Sequence, residues 1–272
     1  MSTESRNPRS VGLDKMPARD IVHLMNQEEQ AVLRALTTAE PEIAVAAERA
    51  AEAFQKGRRV IYVGAGTSGR IATMDAAEMP PTFGIDSHFF VALHAGGASA
   101  TTAAVEDAED SDTAAIDDLN SLHLDREDLV IGIAASGRTP YVLAAIRHAS
   151  QKGCFTVGIS NNANTPLLHE AALGILLDTG PEILTGSTRL KAGTAQKLVL
   201  NRISTAAMVL SGKVIENLMV DVKAKNFKLK ERCVRIVRDL STATEDEARE
   251  ALEREEWNVR AALNRLQASS LG

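Results

Sequence analysis

The chain has 272 residues, 44% of them apolar and 24% charged, a balance that supports a sizeable core and excludes a disordered or fibrous chain. Thirty basic residues against 36 acidic ones give a formal charge of -6, so no basic field exists to hold nucleic acid or an anionic membrane. The longest apolar runs, such as residues 129–135, fall far short of the roughly 20 needed to cross a bilayer. The polar start Met1-Ser2-Thr3-Glu4-Ser5-Arg6 has no signal-peptide core, which predicts a cytoplasmic location. Cys154 and Cys233 lack redox or metal spacing and are expected to be free thiols.

After an aperiodic start, Ile21, Met25, Val32, Leu33 and Leu36 recur at helical spacing and predict one helix over residues 18–36. Pro41 then opens a second helix, whose apolar face of Ile43, Val45, Ala46 and Ala50 runs to Lys56-Gly57. From Arg59 the pattern changes to short β-branched runs that end in glycine-rich loops and are followed by alanine-rich segments. This predicts strands at 60–63, 89–93, 129–134, 156–159 and 174–177, with helices near 69–79, 100–119, 141–152 and 190–210. The fold class is therefore α/β, with a doubly wound, mostly parallel five-stranded sheet whose ligands bind at the carboxyl ends of its strands. Charge-rich short helices follow at 229–240, 245–253 and 258–266, with Thr242 or Thr244 available as a cap and Trp257 as a core anchor. The expected organisation is a leading segment at 1–57, the sheet domain at 58–226 and a small three-helix bundle at 227–272.

Three segments carry anion-binding chemistry. Gly64-Ala65-Gly66-Thr67-Ser68-Gly69-Arg70 follows the first strand and opens a helix. Its spacing meets the dinucleotide fingerprint, but the second strand ends in Leu93-His94-Ala95 without the acid that would hold a ribose. Exposed amides beside two hydroxyls suit a single phosphate instead. The third strand ends in Ala135-Ser136-Gly137-Arg138-Thr139-Pro140, which repeats the Ser-Gly-Arg triplet. Glycines alone need only mean tight turns, and it is the repetition with hydroxyls that favours ligand binding. Ser187, Thr188 and Lys191 then precede a long helix whose dipole favours an anion.

Acid-base groups are less easily chosen. Glu78 lies before Met79-Pro80-Pro81, where the helix is expected to end, and Glu106, Asp107, Glu109 and Asp110 form an acidic cluster that reads equally well as a solvated helix face. The six histidines show no metal-ligand spacing; a purely structural role is least secure for His94, at a strand end.

At these loops the sequence resembles the sugar isomerase (SIS) domain family and, within it, the N-acetylmuramic acid 6-phosphate etherases. The resemblance runs from Thr3-Glu4-Ser5-Arg6-Asn7 through Gly64–Arg70, Asp75-Ala76-Ala77-Glu78-Met79-Pro80-Pro81-Thr82, Ala108-Glu109-Asp110-Ser111 and Ser136–Tyr141 to Thr185–Lys197 and Asn217-Leu218-Met219-Val220-Asp221. Met79 stands where such etherases often have Cys, and Phe83 where Tyr is common. The resemblance implies cleavage of a lactyl ether, a cytoplasmic homodimer, and no metal or organic cofactor. It also implies that Glu78 is the principal acid-base residue and Glu109 the second active-site carboxylate, while the three loops themselves offer Gly66, Thr67, Ser68, Gly69, Ser136, Gly137, Arg138, Thr139, Ser187, Thr188 and Lys191 as the candidate phosphate contacts. A sugar-phosphate isomerase, or a non-catalytic sensor like the glucokinase regulatory protein, would use the same loops. A nicotinamide enzyme is the more distant alternative.

Overall fold

In the computed structural model of the chain, which describes residues 1–103, 105, 107–224 and 226–269, the five expected strands form one parallel sheet. They are β1 (Val60–Gly64), β2 (Phe90–His94), β3 (Leu129–Ile133), β4 (Phe155–Ser160) and β5 (Leu173–Leu176), in the order β2-β1-β3-β4-β5. Side chains alternate across β1 as the pleat requires. Ile61 and Val63 join the apolar cluster formed with α5 (Asp112–Ser121) and α6 (Pro140–Gln151), while the Tyr62 hydroxyl donates to Asp75 on the other face. Asp75 lies on α4 (Gly66–Phe83) and also accepts from Asn201 and Ser204 of α8 (Lys191–Leu210). Burial pushes its carboxyl up, against the lowering effect of those hydrogen bonds.

The helices differ from expectation at four places. The leading helix is two, α1 (Ala18–Glu28) and α2 (Gln30–Thr38), and the break follows Glu28, whose carboxylate turns inward to Lys191 and Asn7. The next helix, α3 (Glu40–Gln55), starts with Pro41 in its first turn as expected. Helix α4 does not stop at Glu78: it continues through Pro80 and Pro81 to Phe83, losing two backbone donors on the way. The expected helix at 100–119 is confined to α5, preceded by 3-10 turns at Gly97–Thr101 and Ala108–Asp110. Asp107 takes a left-handed conformation before the second turn and Ser111 caps α5 through the Ala114 amide; Glu106 lies outside the described residues. A short α7 (Pro166–Glu170) was hidden between β4 and β5.

The chain divides into two compact units, one of residues 1–76 and 88–207 and one of residues 77–87 and 208–272. The leading helices thus belong with the sheet rather than forming a segment apart. The second unit starts well before residue 227, because Val220 and Val222 are buried with Cys233, Val234, Ile236 and Val237. It contains a hairpin of β6 (Val214–Ile215) and β7 (Leu218–Met219) and the three expected helices, α9 (Phe227–Asp239), α10 (Glu245–Arg254) and α11 (Val259–Ser269). Thr244 caps α10 in a capping box with Glu247, and Trp257 packs against the same core. Within this unit Gly84 has φ +66°, and a Cβ there would come within 1.9 Å of the Asp221 carbonyl, so no other residue fits.

Both cysteines are free and buried. Burial first, then the charges of Asp128 and Asp125, pushes the Cys154 thiol up to about 11.

At the amino ends of β1 and β3, Asp128 accepts from the Arg59 amide at 2.9 Å and from the Arg59 guanidinium at 2.5 and 3.2 Å. Burial alone would raise this carboxyl, but those bonds, the Asp125 amide and the Arg59 charge together hold it below the ordinary value. The stability it contributes is complete above the unfolded-state value of about 4 and is lost as pH falls through the lower folded value. Asp128→Asn should cost about 3 kcal/mol at pH 7, measured by denaturant unfolding, and should flatten the acid limb of the stability profile.

Candidate phosphate crevice and its carboxylates

In this strand order the chain leaves β1 for β2 on one side and returns to β3 on the other, which opens a crevice at the carboxyl ends of β1 and β3. Gly64 pairs with Ile133, so the two Ser-Gly-Arg loops leave the sheet from adjacent strands. The first loop passes directly into α4; the Gly69 amide bonds back to the Ala65 carbonyl at 3.1 Å, and the earlier first-turn amides have no acceptor within the helix, a place where an anion can be met. Gly66 sits there at φ +53°. Gly69 is fixed by His94 at the end of β2: a Cβ on Gly69 would come within 2.2 Å of the imidazole. Burial first, and then the Arg70 charge, lowers the pKa of His94 and keeps it neutral. Arg70 is turned away to the carbonyls of Thr101 and Ala103.

The two hydroxyls of this loop differ in what they can offer. Ser68 is buried and donates to Gln196 Oε1 at 2.7 Å. Gln196 Nε2 donates to Asn161 Oδ1, and Asn161 Nδ2 donates to the Leu177 carbonyl, an acceptor only. That endpoint sets the direction of the whole relay, so the Ser68 proton is committed to Gln196 and its oxygen has only lone pairs left. Thr67 is half-buried, and its methyl would lie 3.4 Å from a Cβ on Gly193 in α8, as would the Thr188 carbonyl. The first and third anion segments therefore adjoin.

In the second loop the Ser136 hydroxyl accepts from the Arg138 amide in a tight turn, Arg138 is exposed, and Thr139 precedes α6. Gly137 has φ +64°, and a Cβ on it would come within 2.4 Å of Thr165 Oγ1. In the third segment Ser187 and Thr188 are half-buried in the turns before α8. The start of α8 itself is already occupied: Glu182 accepts from the amides of Lys191 and Ala192 at 3.1 and 2.9 Å. The Lys191 ammonium, 4% exposed, donates to Glu28 at 2.7 Å and to the Pro181 carbonyl at 2.8 Å. Burial would raise the Glu28 carboxyl, but the hydrogen bonds from Lys191 and Asn7 and the charges of Lys191 and Arg9 lower it. The expectation that Lys191 and the α8 dipole meet a phosphate thus gives way to an internal ion pair.

Glu78 is exposed on the part of α4 that belongs to the second unit, and Glu109 is exposed in the 3-10 turn before α5 in the first unit. Asn161 and Asn162, which join these loops, escaped the sequence reading, and Thr3 and Gln196 entered it only within the motifs that carry the resemblance, without a role. Each is a buried polar side chain, and no local pattern distinguishes such a residue from a surface one. Among the described residues no group of three or more His, Cys, Asp or Glu is placed to hold a metal ion.

The model of the glucokinase regulatory protein N-terminal SIS domain matches residues 42–150, and the SIS domain model matches residues 100–205. Among solved structures, a phosphoheptose isomerase from Francisella tularensis superposes with a TM-score of 0.55 at 18% identity, covering 71% of this chain and 98% of that one. The Vibrio vulnificus NanR protein complexed with ManNAc-6P gives 0.51 at 15% identity, covering 85% of this chain and 74% of that one. These two share the fold. Curated N-acetylmuramic acid 6-phosphate etherases of Salmonella schwarzengrund and Salmonella typhimurium are 49% identical over 261 residues, which is 96% of this chain and 88% of theirs. With the SIS sheet, its paired Ser-Gly-Arg loops and this near-complete match, the chain belongs to the N-acetylmuramic acid 6-phosphate etherase family of SIS-domain proteins.

Proposed function

We propose that this chain cleaves the D-lactyl ether of N-acetylmuramate 6-phosphate to N-acetylglucosamine 6-phosphate and D-lactate, a reading carried by the 49% identity over 96% of its length. The phosphate is held at the β1/β3 crevice by the first-turn amides of α4 at Gly66, Thr67 and Ser68 and by the hydroxyl of Thr67, with Gly69 giving the close packing on His94 that sets the loop. The side chains of Ser136, Arg138 and Thr139 on the second loop, which Gly137 allows to turn, and those of Ser187 and Thr188 on the third segment complete the grip. Hydroxyls, amides and one exposed guanidinium can together meet the acceptor oxygens of a phosphate.

Once anchored, the sugar reacts in its open-chain aldehyde form. The C2 hydrogen is acidic because it lies next to the carbonyl. A carboxylate removes it, the C3–O bond breaks with the electron pair going to the lactyl oxygen, and a carboxylic acid protonates that oxygen as D-lactate leaves. Water then adds at C3 of the unsaturated aldehyde and a proton returns to C2. We assign the C2 proton to Glu78 and place Glu109 as the second carboxylate. One carboxyl must act as the base while the other acts as the acid. Fixing C2 and C3 against these groups lowers the barrier further, by roughly 7 to 11 kcal/mol at the ideal limit.

We also infer a cytoplasmic homodimer in which each site draws on both copies. Val22, Leu33, Val45 and Met74 are large apolar side chains left exposed in the first unit, as are Val209, Leu210 and Phe227 in the second, a burden a lone chain has little reason to carry. No helix among the described residues is long and apolar enough to cross a membrane.

Incubation with N-acetylmuramate 6-phosphate should release D-lactate; ketose formation without lactate would identify an isomerase instead. Glu78→Gln should lose about 10²- to 10⁴-fold in turnover with little change in substrate affinity. In deuterated water the wild-type product should carry deuterium at C2, and exchange into recovered substrate should vanish in Glu78→Gln. Mixing inactive Glu78→Gln with inactive Glu109→Gln should restore activity, because one of the two shared sites in each mixed dimer keeps both carboxylates. No recovery after subunit exchange would assign both carboxylates of a site to one chain.

A further inference from the structure

Residues 1–7 contain no strand or α-helix, yet Thr3 and Asn7 are 1% and 5% exposed. Two polar side chains are buried so completely within an otherwise exposed stretch only where their hydrogen bonds are met, and here the partners are informative. The Thr3 amide donates to Asn162 Oδ1 at 3.2 Å, the Thr3 hydroxyl accepts from Asn162 Nδ2 at 2.9 Å, and the Thr3 carbonyl accepts from the Gly186 amide at 3.2 Å. Asn162 Nδ2 also donates to the Ala135 carbonyl at 2.8 Å, and Ser2 Oγ donates to Asn162 Oδ1 at 3.3 Å. Ala135 immediately precedes Ser136, and Gly186 immediately precedes Ser187. A second attachment follows at Asn7, whose amide donates to Glu28 Oε2 at 2.8 Å and to the Pro181 carbonyl at 3.2 Å, the two acceptors that also hold Lys191.

We propose that Thr3 is a positioning residue for substrate: through Asn162 on one side and Gly186 on the other, it fixes the separation of the Ser136–Thr139 loop and the Ser187-Thr188 turn. This rests on the reading that those two segments grip the phosphate. The two segments come from different parts of the chain, one after β3 and one before α8, and belong to no common ladder. Thr3 and Asn162 form a direct hydrogen-bonded bridge between them. A phosphate gripped from both sides needs that spacing set before it arrives, since donors misplaced by a fraction of an ångström lose much of their strength.

Thr3→Val keeps the branched shape and removes the hydroxyl acceptor, leaving Asn162 Nδ2 with the Ala135 carbonyl alone. KM for N-acetylmuramate 6-phosphate should rise about tenfold while kcat stays within about twofold, and the inhibition constant of inorganic phosphate should rise by the same factor as KM. Thr3→Ser should return all three to within about twofold of wild type. Ser136→Ala is measured in parallel. If it raises KM and a folded Thr3→Val does not, residues 1–7 are merely structural and the proposal fails. If Ser136→Ala itself leaves KM unchanged, the phosphate reading fails and takes the proposal with it. Should Thr3→Val not fold, hydrogen exchange in the wild type decides: saturating inorganic phosphate should slow exchange at least about twofold both in the peptide spanning residues 1–7 and in the 134–139 loop. Protection confined to the loop would overturn the coupling.

Discussion

The reversal of winding at β1 is the constraint on which the rest of the structure depends. Because β2 and β3 flank β1 on opposite sides, the connections after β1 and β3 run to opposite faces of the sheet and cannot close over the strand ends between them. Everything assigned to phosphate binding follows from that gap. The start of α4 faces it because α4 begins two residues after β1, and the Ser136 loop borders it because Gly64 and Ile133 are in register. Had the chain wound in one direction only, the same loop sequences would have stood apart.

The crevice is also shaped by charges that do not enter it. Lys191 and Glu28 satisfy one another at 2.7 Å beneath the leading helices, and Glu182 occupies the amides at the start of α8. Removing one member of such a buried pair leaves an uncompensated charge, which is why these residues are needed although they touch no ligand. Of the three anion sources read from the sequence, the α4 start and the Ser136 loop spend some donors internally, those of Ser68, Arg70 and the Gly69, Gly137 and Arg138 amides among them, while the third spends its cation and its helix dipole on the fold.

The sheet was legible in the sequence because buried parallel strands are continuous apolar runs, such as Leu129–Ile133, punctuated by glycine. Helix ends were less so. Two prolines after Glu78 read as a stop, yet α4 continues to Phe83 and gives up the two backbone donors that Pro80 and Pro81 lack. The break after Glu28 was invisible because nothing local says that this glutamate pairs with a lysine 163 positions away. The same holds for the site. The Ser-Gly-Arg loops announced themselves by repetition, whereas Gln196, Asn161 and Asn162 act through partners supplied by the folded chain, and the commitment of the Ser68 proton appears only when the relay is followed to the Leu177 carbonyl.

The buried thiol between β3 and β4 has a practical corollary. With its pKa pushed up to about 11, Cys154 carries the thiolate in only about one molecule in ten thousand at neutral pH, and it is the thiolate that reacts with oxidants and alkylating reagents. Cys233 is buried too, and its pKa is raised by the same cause. Burial thus disfavours the reactive thiolate at both native cysteines while the fold is intact. A cysteine introduced on the surface would take up a spectroscopic label alone, and slow labelling of the unmodified chain would count unfolding events one molecule at a time.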